Sequence, residues 1–310
     1  MKIRTIRHKK GSPIQMLKLI TNLTLIASLT FTTITFAMAS VKKDTYILAV
    51  GPKGARRLEL QNDLLKNHIA THLNATGLSE GQTAVDLGCG NGTVTIELAK
   101  RVGTTGRVYA IDMSPEQLAL AKEKVNAAGL KNVIFVQGDI TFLKDFPMGK
   151  AHLVYMRFFL SHLRDPEQAI AIAKDMLTDG GVVATQDVTM STFYDSSNHQ
   201  IFREYRQAVA AMGKIMRKDF DIGKRLLSLH EKAGFVKAKG YFIQPTMNLS
   251  VTKELFLLDI SEWTDKAIAE GVLTEKTVEN WKNTISNWPN TEERFTMANY
   301  AFVLGRKAQS

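Results

Sequence analysis

Asp86, Gly88, Gly90 and Gly92 stand at alternate positions in Ala84-Val85-Asp86-Leu87-Gly88-Cys89-Gly90-Asn91-Gly92. A carboxylate followed by three glycines can hold a ligand against bare backbone. Each glycine lacks the Cβ that would keep the ligand off the chain. A helix is expected from about Asn91 to Arg101, so free N–H groups at its start should face the loop mouth. Ala84, Val85 and Leu87 suit a strand in a parallel sheet covered on both faces. The stretch reads as strand, glycine loop and helix, with polar or negative ligand groups against the loop.

The dinucleotide fingerprint G-x-G-x-x-G would need glycine at position 93, which is Thr93. The pattern is D-x-G-x-G-x-G instead. A carboxylate at Asp86 favours a ligand carrying positive charge over a pyrophosphate. A second carboxylate, Asp112, ends Val108-Tyr109-Ala110-Ile111-Asp112, 26 positions after Asp86. At that strand end it can accept hydrogen bonds from both hydroxyls of a ribose. Its place in a crevice implies that the core does not depend on it.

These residues resemble motif I and the second-strand acid of the class I S-adenosylmethionine-dependent methyltransferases. The resemblance implies a Rossmann-like α/β fold: a doubly wound, mostly parallel seven-stranded sheet whose last strand is antiparallel, with extra lid helices. It implies S-adenosylmethionine as cofactor, held by Asp86, Gly88, Cys89, Gly90, Asn91, Gly92 and Asp112. Gly138-Asp139-Ile140 ends the third strand where the family places an acid on the adenine amino group, with Met113 and Ile140 against the base. Tyr155-Met156-Arg157-Phe158-Phe159-Leu160-Ser161-His162 resembles the motif IV region. Arg157 would pair with a carboxylate of the acceptor or of the cofactor. His162 is a candidate general base, and packing is the competing role. No Asn-Pro-Pro-Tyr motif occurs, which speaks against adenine or glutamine amide methylation.

The implied reaction is direct displacement onto a small-molecule acceptor, the protein supplying orientation and a dry pocket. Two other readings stay open. An NAD-dependent oxidoreductase would also use an acid at 112, and an exported nucleoside-binding protein would need no catalysis. No metal-ligand spacing surrounds the seven histidines.

The rest of the chain must position these groups. Leu58, Leu60, Leu64, Leu65, Ile69 and Leu73 recur at helical spacing within Lys42 to Gly81. This stretch resembles the N-terminal cap of small-molecule methyltransferases, with Tyr46 as a possible pocket residue. From 84 the chain alternates strands (84–88, 107–111, 133–137, 153–156, 182–186, 236–243, 297–304) with helices (115–128, 166–177, 222–233). That alternation means a sheet with helices on both faces and a crevice at the strand carboxyl ends. Thr178-Asp179-Gly180-Gly181 should make a tight reversal before the fifth strand. Two connections, about 188–221 and 244–295, exceed ordinary lengths. With helices expected over 200–212, 252–270 and 274–288, they suit a lid on a substrate pocket.

The net charge of +10 belongs mostly to the N-terminus. Six of the 40 basic residues and none of the 30 acidic ones precede residue 40, so residues 40–310 carry +4. No aromatic-interleaved basic stripe suggests a nucleic-acid partner. Met1 to Lys10 is basic, Leu19 to Ala39 is uncharged, and Ala37-Met38-Ala39 is an A-x-A site. The domain plan is a signal peptide over 1–39, a helical cap over 40–80 and a methyltransferase domain over 81–310. Cleavage before Ser40 would export the protein to the periplasm or medium. An uncleaved segment would anchor it in the membrane.

Overall fold

Thr83–Leu87 forms β1, the central strand that the glycine loop leaves. Arg107–Asp112 (β2), Val133–Gln137 (β3), Ala151–Arg157 (β4) and Leu177–Thr189 (β5) run parallel to it. Val236–Ile243 (β6) and Asn299–Arg306 (β7) complete the sheet, in the order β3-β2-β1-β4-β5-β7-β6. β7 is antiparallel to both neighbours, so six strands are parallel and the last is reversed. This is the expected Rossmann-like arrangement. The computed structural model describes residues 34–35, 52–140, 150–195, 199–245, 248–289 and 295–309. The cleavage site, Ser40 and Tyr46 lie outside them. Ile34–Thr35 pairs in parallel with Val136–Gln137 at the β3 edge.

Helices Pro52–Thr76 (α1), Thr93–Val102 (α2), Pro115–Ala127 (α3), Pro166–Met176 (α4) and Gln200–Met216 (α5) are followed by Leu226–Lys232 (α6), Leu249–Ala269 (α7) and Glu275–Ser286 (α8). Local chemistry sets several starts. Ser114 accepts from Gln117 N and Asp165 from Gln168 N, each with proline next, so φ is already helical. α2 begins at Thr93 rather than Asn91, because Gly92 is left-handed (φ 79°).

Three apolar cores follow from this layout. One face of the sheet packs on α4 and α6 through Ile170, Ala173, Leu226 and Leu229. The other packs on α1, α2 and α3 through Leu65, Leu73, Leu98 and Val125. The third core lies within the two long connections: Phe202, Tyr205, Phe256, Ile260 and Trp281 are buried there with Leu60 of α1. α1 therefore bridges the sheet and the lid helices. Among the described residues no helix is long and apolar enough to cross a membrane.

Candidate active site

At the carboxyl end of β1 the three glycines divide the work. All three have positive φ (70°, 51° and 79°). A Cβ on Gly88 would lie 2.4 Å from the Phe159 ring, and one on Gly92 2.8 Å from Ala121 Cβ. A Cβ on Gly90 would meet nothing within 4 Å. The expectation that all three clear space for a ligand is thus corrected. Gly88 and Gly92 permit close packing, and Gly90 alone opens onto free space.

The loop amides are also spoken for. Gly88 N and Cys89 N donate to Ile111 O, and Gly92 N donates to Cys89 O. Gly90 N donates to Asp112 Oδ2 at 2.9 Å, while Ser114 N donates to Oδ1 at 2.9 Å. The loop offers contour rather than spare donors at these positions. Burial raises the Asp112 pKa, and the Ser114 and Gly90 amides oppose that rise. Cys89 is buried in the same loop, and burial pushes its thiol well up.

Asp86 lies beneath the loop, 2% exposed, and accepts from Thr95 Oγ1 of α2 at 2.6 Å. Burial pushes it up to about 6, against the pull of Thr95 and Arg157. Arg157, at the end of β4, donates to Asn62 Oδ1 of α1. Asn62 Nδ2 donates to Thr93 Oγ1 at 2.8 Å, and Thr93 donates to Asn91 Oδ1 at 3.0 Å. Arg157 Nη1, Asn91 Nδ2 and both amide atoms of Gln186 are buried without a hydrogen-bond partner. Such atoms are costly unless something else satisfies them. β4–β5 register places Gln186 beside Arg157. No motif marks Asn62 or Gln186, because an amide carries no signal until a fold brings it to a charge.

The remaining expected residues sit around the same strand ends. Gly138 N donates to Asp112 O, and Asp139 is half-buried after β3. Met113 is 44% exposed, whereas Ile140 belongs to the core at 5%. Met113 is the exposed one of the two.

Phe158 follows Arg157 with φ 49°, a strained value for a bulky residue. It turns the chain into the short helical turn Leu160–His162. Asp187 of β5 holds that turn by accepting from Ser161 N at 3.1 Å. His162 is half-buried, and desolvation with nearby Lys218 and Arg57 pushes its pKa down to about 3. Its imidazole is neutral at physiological pH and is a weak base.

Phe158, Ser161 and His162 line a cavity of about 110 Å³. Its other walls come from α1, the end of β5, α5, Phe220, α7 and β7. Most of the lining is apolar or aromatic, as in small-molecule sites generally. Arg57 of α1 fastens it by pairing with Glu262 of α7 at 2.9 Å, both side chains 4% exposed. Among the described residues no cluster of three or more His, Cys, Asp or Glu could hold a metal.

A family profile described as a methyltransferase domain matches residues 78–266. The chain belongs to that family, the class I S-adenosylmethionine-dependent methyltransferases of Rossmann-like fold. It is 28% identical over 144 residues to the demethylmenaquinone methyltransferase of Geobacillus stearothermophilus, covering 46% of this chain and 61% of that one. It is 26% identical over 192 residues to the ubiquinone/menaquinone biosynthesis C-methyltransferase UbiE of Enterobacter sp. (strain 638), covering 58% of this chain and 76% of that one. The chain thus spans about three fifths of the Geobacillus relative's length. A crystal structure from Bacillus halodurans C-125 superposes with TM-score 0.53 at 18% identity, over 78% of this chain and 99% of that one, and shows a shared fold.

Proposed function

We propose that this chain transfers a methyl group from S-adenosylmethionine to a small, largely apolar acceptor. One observation carries the reading: the open space over Gly90, bounded by Asp112, lies beside the end of β4, from which Phe158 and His162 line the largely apolar cavity. When bound, S-adenosylmethionine supplies a methyl group already made electrophilic by its sulfonium.

The residues fit that cofactor. Asp112 accepts from the ribose hydroxyls, and Met113 covers the base with Asp139 at its rim. The unpartnered Arg157 Nη1 and Asn91 Nδ2 suit the cofactor's carboxylate, and Asp86 supplies negative charge toward its ammonium. The chain's further task is to orient the acceptor and exclude water, which the α1, α5 and α7 roof does. Neutral His162, a weak base, accepts a hydrogen bond from the acceptor's nucleophilic group rather than its proton.

The family match favours this reading over a nicotinamide-dependent one. Calorimetry with S-adenosylhomocysteine and with NAD tests it. Binding of the former alone supports the reading, and binding of NAD alone overturns it. The likeness to a UbiE C-methyltransferase makes carbon one acceptor atom to test first. Export by residues 1–39 is part of the same proposal. Protein from the native host should begin at Ser40, and full-length protein found only in cytosol would remove this part.

A further inference from the structure

Asp259 is the anomaly of the cavity. A carboxylate on the wall of an apolar space is costly unless it is bonded. Tyr205 Oη donates to Asp259 Oδ2 at 2.6 Å, and Trp263 Nε1 donates to the same oxygen at 3.2 Å. Fastening α5 to α7 would explain the first bond, and the second lies within α7. Both leave Oδ1, which accepts from no described residue, on a side chain that lines the cavity.

Charge sharpens the point. Arg57 is the arginine in the lining, and it is committed to Glu262 and to Gln61 Oε1 at 2.9 Å. His162 is neutral at physiological pH. Burial raises the Asp259 pKa, while the Tyr205 hydroxyl, the Arg57 charge and the Trp263 N–H favour its ionised form. The cavity therefore presents an apolar body with Asp259 Oδ1 as its unsatisfied carboxylate oxygen, and Tyr300 lines the same space. Its about 110 Å³ is comparable to the ~150 Å³ cavity that takes a benzene ring.

Resting on the acceptor reading above, we propose that Asp259 Oδ1 anchors the methyl acceptor by a hydrogen-bond donor, a hydroxyl or an ammonium, carried on an apolar body whose buried part is about one ring in size. Phe158 and His162 line the cavity from the end of β4, and Asp259 lines it from α7. The anchor is thus supplied by the lid and selects which apolar molecules stay bound. A neutral amide or leucine at 259 would remove the charge or the acceptor without altering the cofactor loop.

The test is calorimetry on the full chain saturated with S-adenosylhomocysteine, using toluene, phenol and benzylamine as probes. Phenol or benzylamine should bind at least about tenfold more tightly than toluene. That advantage should vanish in the double variant Asp259→Leu/Tyr205→Phe, which removes both polar ends of the α5–α7 link and leaves Trp263 Nε1 alone without its acceptor. In Asp259→Asn a phenol advantage should survive and a benzylamine advantage should fall, separating hydroxyl from ammonium. Equal binding of all three probes, or an advantage that persists in the double variant, overturns the proposal. Failure of S-adenosylhomocysteine to bind the wild type would overturn the cofactor reading instead.

Discussion

Asp112 Oδ2 accepts the Gly90 N–H at 2.9 Å, so the β2 carboxylate and the open glycine of the loop are joined before a ligand arrives. The other oxygen caps Ser114 N at the start of α3. Asp112 thus sets the loop's shape as well as facing the crevice. The sequence expectation that the fold ignores it is too simple. Asp112→Ala should weaken S-adenosylmethionine binding at least about tenfold. It should also cost about 1–3 kcal/mol of stability, because two amides lose their acceptor. Asp112→Asn keeps one acceptor oxygen and should fall between. Calorimetry beside thermal melts checks both, and an Asp112→Ala protein that binds like wild type would remove Asp112 from the site.

The glycines should separate by their surroundings. Gly88→Ala and Gly92→Ala force a Cβ to 2.4 Å from Phe159 and 2.8 Å from Ala121. Both should lower stability clearly more than Gly90→Ala, whose penalty is the left-handed backbone alone, about 1 kcal/mol. Gly90→Ala should instead fold and lose cofactor affinity. Denaturant melts with titrations of all three variants decide it. Equal stability losses would mean the loop is purely structural.

His162 gives a pH signature. Its folded pKa is held at about 3, against about 6.5 in the unfolded chain. As pH falls below 6.5, the unfolded state takes up a proton that the folded state refuses. The wild type should therefore lose stability from pH 6.5 toward 3, by up to about 1.4 kcal/mol per pH unit from this group. His162→Phe lacks that loss. The stability difference between the two proteins, followed by urea melts from pH 7 to 4, should shift in favour of the variant as pH falls. A difference constant with pH would show an ordinarily titrating imidazole.

Arg57 and Glu262 clamp α1 to α7 at 4% exposure each. Removing one partner of a buried pair strands the other, typically at about 3–5 kcal/mol. Arg57→Ala should speed hydrogen exchange in α5 and α7 while β1 to β4 stay protected. In the wild type, exchange over 188–221 and 244–289 should slow when S-adenosylhomocysteine and acceptor are both present. Unchanged exchange would make these segments fixed core.

The sheet was legible because its parallel strands are continuous apolar runs, and Asp112 because a strand end followed by Ser114-Pro115 has local chemistry. Helix bounds shifted where one residue's φ decides, as Gly92 did for α2. Thr93, Asn62 and Gln186 escaped because their meaning depends on elements that meet only in the fold. The separate lid core was hidden for the same reason: Leu60 reads as one stripe residue of α1, yet it packs with Phe256 and Trp281. Asp259 stands in no motif, and its meaning appears only where Tyr205 and Trp263 converge on one of its oxygens.

Methyl transfer itself is tested most directly with S-adenosylmethionine labelled on the methyl group, incubated with a host-cell extract and the full chain. The label should enter a small product that extracts into organic solvent with wild type, and Asp112→Ala should reduce that transfer at least about tenfold. Label that stays on S-adenosylmethionine in every fraction, or that appears only in macromolecules, would contradict a methyltransferase acting on a small apolar acceptor.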